Sequence, residues 1–342
     1  MAAVATRTLA EWTGRATKVS EVLSQLDGLR QKGQRSLASR TSVVTLVVRA
    51  PSAVDAWDAV STVHRFGGHH PARSIVLVPL PEGRARLDAR VSLTAAEAGG
   101  HQVWFEDVVL SVSGPAAGRL GRLVEPFALS DLPLAVWYVG SAPTAGDDLL
   151  DTADAVLVDS KLAIAEEGGD EGDDGPAGAL PERDTLDAVV ALFGRVPVVD
   201  LAWIRLRPWR ELLASMVDGA AFRPALDDLT SATVTGKASA RALLGGWLSS
   251  RLRLPPGSLH LNAGRHASLC LVGRIDGREA RFAVERVPGE RLVHASAMVE
   301  DGPCFTDVLA LPEPDPSWAL AQALTALRSD PVYEDAVRAG LG

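Results

Sequence analysis

Residues 42–80 read SVVTLVVRAPSAVDAWDAVSTVHRFGGHHPARSIVLVPL, and this stretch sets the fold class. Ser42–Arg49 is a β-branched apolar run with turn residues behind it, the pattern of a strand buried on both faces. Ser52 is placed to cap a helix that carries Val54, Trp57 and Val60. Ser74–Leu80 is a second apolar run. Two such strands joined through a helix imply a βαβ unit, hence an open α/β sheet.

Outward from this unit the pattern continues in both directions. Upstream, Val19, Val22, Leu23, Leu26 and Leu29 recur at helical spacing over about residues 18–32, with Thr17 as the expected cap and Gly33 at the stop. Downstream, LDARVSL (87–93) and VWFEDVVLSV (103–112) alternate and read as antiparallel additions at the side of the sheet. A short helix around Ala116–Pro126 follows, then the apolar strands Leu134–Val139 and Ala155–Val158.

The pattern breaks at AEEGGDEGDDGPAGALPE, residues 165–182, which is acidic, Gly-rich and nearly free of large apolar side chains. The expected division is a mixed open α/β sheet with helices over 1–165, an acidic loop or linker over 166–181, and an α+β domain with antiparallel strands over 182–342. The alternative is an excursion within one continuous sheet. The second part carries helices at Thr185–Phe193, Pro208–Asp218 and Ser239–Leu252, the middle one with an apolar stripe of Trp209, Leu212, Leu213, Met216 and Val217. Five β-like segments between Leu259 and Leu309 follow, with Asp276-Gly277 as a hairpin turn, and a closing helix lies around Trp318–Leu327.

Charge and cysteine usage narrow the function classes. The formal net charge is −9, and six of the carboxylates sit within residues 166–174 of the acidic stretch; without them it would be −3. The remainder offers no basic face for nucleic acid. Cys270 and Cys304 cannot build a disulfide framework, so a cytoplasmic, reducing compartment is expected. The start, MAAVATRTLAEW, does not read as a signal peptide, and no apolar run approaches the roughly 20 residues a bilayer requires.

Catalytic and cofactor motifs are weak throughout. Gly114, Gly118 and Gly121 have G-x3-G-x2-G spacing, not the G-x-G-x-x-G that lets a backbone approach a pyrophosphate. Gly236 and Lys237 lie between a strand and a helix, but Ser231 and Ala238 occupy the positions where a phosphate loop needs Gly and Ser or Thr. Free amides beside Lys237 could still hold a small anion such as a sugar phosphate, against a simple cap by Ser239. His64, His69 and His70 straddle two glycines without supporting ligands, so a loop is expected rather than a metal site. Glu106 and Asp107 are adjacent on a strand and must point to opposite faces, which argues against a carboxylate pair. No nucleophile elbow is present. A pairing of Cys270 with Cys304 would need their α-carbons within about 7 Å. No catalytic residue, cofactor or metal is expected. What remains is DLAWIRLRPWR, residues 200–210. Trp203, Arg205, Arg207 and Arg210 are candidates for a partner surface, because Trp and Arg dominate interface hot spots; the alternative is that the tryptophans are core.

DLAWIRLRPWR resembles the D-L-x-W-x-R-L-x-P-W-R signature of the OpcA family of glucose-6-phosphate dehydrogenase assembly proteins. RTSVVTLVV (40–48), HPARSIVLV (70–78), DLPLAVWYVG (131–140), ALLGGWLSSRL (242–252) and DPVYEDAV (330–337) are similar to further segments of that family, in the same order. The sequence departs at Tyr138, where the family has a second tryptophan, and at Arg207, where it has a small hydroxyl residue that would cap the helix. The resemblance implies a non-catalytic chain that binds glucose-6-phosphate dehydrogenase and promotes its assembly or a state of higher substrate affinity. It also implies, for photosynthetic relatives, thioredoxin-dependent control through cysteines that are not mapped onto Cys270 or Cys304. A sugar-phosphate binding module using Gly236, Lys237 and Arg205 is the alternative.

Overall fold

The computed structural model describes residues 6–33, 42–66, 72–98, 101–160, 182–287, 289–311 and 316–341 of the 342. The chain runs β1 (Thr6–Gly14), α1 (Val19–Gly33), β2 (Val44–Arg49), α2 (Ala53–Phe66), β3 (Ala72–Leu80), β4 (Arg86–Ala98), β5 (His101–Ser113), α3 (Leu120–Val124), β6 (Leu134–Tyr138), β7 (Ala155–Val158), α4 (Glu182–Val190) and β8 (Val198–Asp200). It continues through α5 (Leu201–Arg205), α6 (Arg207–Asp218), β9 (Leu229–Gly236), α7 (Ala238–Arg251), β10 (Leu259–Ala263), β11 (Ser268–Ile275), β12 (Arg278–Arg286), β13 (Leu292–Val299), β14 (Cys304–Ala310), α8 (Pro316–Thr325) and α9 (Pro331–Leu341). Mixed α/β content organised on two mixed sheets is the fold class the apolar runs and turn signals imply. No helix among the described residues is long and apolar enough to cross a membrane.

The first unit contains residues 6–159, 182–201 and 316–329. Its eight-stranded sheet has the order β1-β4-β5-β3-β2-β6-β7-β8. The βαβ reading holds: β2 and β3 pair in parallel, and β2 is fully buried apart from Arg49. β5, β6, β7 and β8 extend the parallel part, while β4 and β1 are antiparallel additions at one side. Ser52 caps α2 as expected, its hydroxyl accepting the Asp55 amide at 3.2 Å. The apolar stripe of α2 is rotated from the expected one. Ala56, Ala59, Val60 and Val63 are buried, whereas Val54 is 70% and Trp57 52% exposed. The two alanines let the helix approach the sheet, and Trp57 lies on the surface beneath the Arg90 guanidinium, 4.1 Å away. Thr17 does not cap α1: its hydroxyl donates to Glu21 at 2.6 Å, and the helical ladder starts from the Lys18 carbonyl.

The expected boundary at the acidic stretch is corrected. Residues 161–181 lie outside the described residues, but β8 beyond them pairs in parallel with β7 and completes the first sheet. Residues 182–201 therefore belong to the first unit, which is the single-sheet alternative. The physical reason is that β7, apolar and parallel, has an edge for β8 to pair with, and a βαβ crossover through α4 supplies β8 to it.

Of the described residues, the second unit contains Ser160 and those of 202–311 and 330–341. Its six-stranded sheet has the order β10-β9-β11-β12-β13-β14, antiparallel except for β9 with β10. Asp276 and Gly277, with φ of 52° and 81°, make the β11–β12 hairpin turn. The α6 stripe packs on the face formed by Phe282, Val284, Val293 and Ala295, all buried. α7 lies on β9 and β10, and α9 lies on α7. Gly246 and Gly340 allow that last contact, since a side chain at either would overlap the Ala336 or Ala242 carbonyl.

Candidate functional site

The DLAWIRLRPWR segment forms an internal clamp. Trp203 is 5% exposed and donates from Nε1 to Asp330 Oδ2 at 2.9 Å. The other Asp330 oxygen accepts the amides of Val332 and Tyr333, which caps α9. Arg210 stacks its guanidinium 3.3 Å from the Trp203 ring centre and donates to the Trp203 carbonyl at 2.9 Å. Burial lowers the Arg210 pKa to about 10, opposed by the charges of Asp330 and Glu211. Trp209 is also buried and donates from Nε1 to the Ala267 carbonyl at 2.9 Å. The core reading therefore describes both tryptophans. Arg205 is half-buried and engaged, and Arg207 is exposed and paired with Glu211 at 2.6 Å. Only Arg207 among the four candidates projects to solvent.

Gly236 and Lys237 stand where expected, at the junction of β9 and α7, but the cap differs. Lys237 itself is the N-cap residue, without a side-chain cap bond, and Ser239 is buried inside the helix. Ala240 and Ala267 crowd Gly236, and its carbonyl accepts from Gly264 and Arg241. There is little room at this junction for an anion.

Glu106 and Asp107 do point to opposite faces of the first sheet. Arg30 of α1 and Arg73 of β3 both bond Glu106, at 3.0 Å each for the closest contacts. Burial alone would raise the Glu106 pKa, but the hydrogen bonds and charges of the two arginines outweigh it and hold the carboxylate below the ordinary range. On the other face His64 donates from Nε2 to Asp107 at 2.9 Å, and its ring lies 4.6 Å from that of Phe105. Ser74 sits beside Asp107 on the neighbouring strand, but it is fully buried and cannot present its hydroxyl to a substrate. His69 and His70 lie outside the described residues. Among the described residues no group of three or more His, Cys, Asp or Glu is placed to hold a metal.

The strand order of the first sheet reverses between β2 and β6, the crevice where open α/β sheets bind ligands. Here Arg49 occupies it. Its Nε lies 3.4 Å from Asp147, it donates to Ser141 at 3.2 Å, and its guanidinium is 5.8 Å from the Tyr138 ring centre. Burial first, then Asp147, push the Tyr138 phenol well above its ordinary pKa.

The second sheet offers the most distinctive surface. α6 and α7 cover one face, and no residue of the strands' opposite face is buried. One cross-strand row on that bare face runs Thr233, Cys270, Ala283, Ser296, Thr306. The next contains Val272, Arg281, Met298 and Cys304. The first row is built of small and hydroxyl-bearing side chains, the second carries exposed Arg281, and apolar side chains lie toward β14: Met298 is 55% and Val308 50% exposed. β14 is exposed along its whole length and is the last strand of the sheet. Val299 and Leu311 bond across to Pro303 and Arg291, so residues 305, 307 and 309 face β13. The backbone groups of Cys304, Thr306, Val308 and Ala310 therefore point outward, and the Val308 amide is taken by Asp307 Oδ1 at 2.8 Å. Periodicity could not reveal this surface, because alternation says which face is polar but not that no helix covers it.

Both cysteines lie on the bare face, with β12 and β13 between them. Three strand spacings of about 4.8 Å put them about 14 Å apart, twice what a disulfide allows. An intrachain pair is excluded. Burial raises the Cys270 pKa, with Arg281 opposing and Glu285 and Glu279 reinforcing.

Comparison with known proteins matches the two parts of one family to this chain. The model described as glucose-6-phosphate dehydrogenase subunit N-terminal domain matches residues 64–169, and the one described as its C-terminal domain matches residues 196–337. Proteins named OxPP cycle protein OpcA are similar over about 205 residues. The Synechocystis protein is 27% identical, covering 57% of this chain and 40% of its own length. The Nostoc punctiforme protein is 27% identical over 57% and 41%, and that of Synechococcus elongatus 25% over 58% and 43%. The matched region thus spans less than half the length of these relatives.

Proposed function

Because the chain belongs to the OpcA family of glucose-6-phosphate dehydrogenase assembly proteins, we propose that it binds glucose-6-phosphate dehydrogenase and does so through the bare face and free edge of its second sheet. The observation that carries the surface assignment is the uncovered sheet itself. Six strands of about seven residues make a face about 24 Å on each side, roughly 600 Å², which approaches the 800 Å² per partner of a standard interface. Exposed Met298 and Val308 lie at its β14 end, while Phe305 and Leu309, also exposed, sit on the other side of the same edge strand, and exposed apolar surface of that kind marks interaction sites.

Binding alone is enough to alter the enzyme. A partner that prefers the assembled or high-affinity form shifts the population toward it without making or breaking bonds. A preference of about 3 kcal/mol corresponds to roughly a 100-fold change. The non-catalytic reading is supported by the carboxylates most nearly placed for chemistry. Glu106 is held by two arginines, and Asp107, on the other face, by His64. We place the protein in the cytoplasm, where two unbridged thiols are stable.

The test is co-elution with the dehydrogenase of the same organism, read by light scattering alongside dehydrogenase kinetics. Replacing Met298 and Val308 together by Glu should abolish both association and activation while leaving the melting temperature within a few degrees. If Arg207→Ala breaks the association and the double substitution does not, the docking surface is the start of α6 instead.

A further inference from the structure

A concavity in the first unit combines shape with unbalanced charge, and nothing in the dehydrogenase reading uses it. After β5 the chain turns through a 3-10 stretch, Gly114–Gly118, into α3. Two glycines pin this turn against protein. Gly114, at φ +73°, lies on the backbone of Arg84 and Ala85. Gly121 lies on the Asp148 carbonyl and donates its amide to the Asp148 carboxylate at 2.9 Å. Two of the three glycines that invite a dinucleotide reading, Gly114 and Gly121, are thus structural, and what they create is beside them. Pro115, Ala116, Arg119, Arg122 and Leu123 line a solvent-open cavity of about 530 Å³, within the range of small-molecule sites.

Arg119 and Arg122 are exposed, and neither side chain has a hydrogen-bond or ion-pair partner among the described residues. Arg30, Arg73, Arg90 and Arg195 of the same unit each hold a carboxylate. None of the lining residues is acidic, so Arg119 and Arg122 supply the only formal charges of the cavity wall, and the nearby Asp148 carboxylate accepts the Gly121 amide. Guanidinium groups present forked donors that match phosphate oxygens. A phosphate monoester carries about −1.5 to −2 at neutral pH, which balances two arginines. Pro115, Ala116 and Leu123 supply apolar wall for the carbon skeleton, which inorganic phosphate lacks.

We propose that this cavity is a binding site for a small organic phosphate monoester, gripped through its phosphate oxygens by Arg119 and Arg122. The probes are glucose 6-phosphate and glycerol 3-phosphate, with inorganic phosphate and glucose for comparison, titrated calorimetrically into the full chain without any dehydrogenase. At least one ester should bind with a Kd below about 1 mM. Inorganic phosphate should bind at least about fivefold more weakly, and glucose not at all. The double substitution Arg119→Ala/Arg122→Ala should weaken the ester at least about tenfold, the double Arg→Lys exchange by less, and Arg253→Ala on the other unit not at all. Melting curves check that each variant is folded, and the Arg→Lys pair stands in should the alanine pair unfold. No ester binding up to about 10 mM, binding indifferent to both double substitutions, or inorganic phosphate as tight as the esters would overturn the proposal.

Discussion

Arg210 keeps its positive charge in a buried place because Trp203 faces it with a π-surface and a carbonyl, while Asp330 stands behind the indole. Arg210→Ala should therefore cost about 2 kcal/mol of stability in urea denaturation, from the stacked cation and its hydrogen bond. Arg207→Ala, which removes an exposed i,i+4 pair, should stay within about 0.5 kcal/mol. Equal losses would show that the clamp is not what holds this segment. Glu106 gives a prediction in pH. Its folded-state pKa is depressed, so its contribution is complete above the unfolded value of about 4.3 and disappears as pH falls through the lower folded value. Glu106→Gln should be less stable than the parent at pH 7, with the gap closing below about pH 4; a gap that stays constant into acid contradicts the ion-pair account. At this scale the sequence is only half readable. Trp209 follows the α6 stripe and is legible as core, but Trp203 is buried where its N–H meets Asp330, 127 residues away, and its ring lies near that of Tyr333, and no local pattern carries that information.

β14 is an exposed edge strand whose only charge is Asp307, and that carboxylate also occupies the outward Val308 amide. Natural proteins blunt such edges with charge to prevent sheet-to-sheet pairing. Asp307→Ala should increase self-association, seen as a concentration-dependent mass in light scattering; a strictly monomeric variant would show that the edge is protected by something else. Elements with strong periodicity or turn chemistry were legible: β2 and β3 from their apolar runs, α6 from its stripe, the β11–β12 hairpin from Asp276-Gly277. β1 was not, because TRTLAEWTG is polar at most positions and pairs only with β4 at the margin of the sheet. In α2 the larger Val54 and Trp57 face solvent while Ala56, Ala59, Val60 and Val63 are buried, so side-chain size misleads about which side meets the sheet.

Across the whole molecule the acidic stretch looked like a boundary because composition changes there, yet β8 returns to the first sheet afterwards. α8 and α9 likewise fall in different units although only five residues, 326–330, separate them, an assignment made by packing rather than by any signal in the chain. The matched family region 64–169 covers strands of the first sheet, and 196–337 covers β8 and all of the second sheet, so the likeness extends to the scaffold as well as to the tryptophan–arginine segment. The account rests on the second sheet meeting the dehydrogenase. Hydrogen exchange of this chain, alone and with a saturating amount of the enzyme, tests that most directly. Slowed exchange at the outward amides of Thr306 and Ala310 on β14 is the predicted result; unchanged exchange there, with protection elsewhere or nowhere, would contradict it.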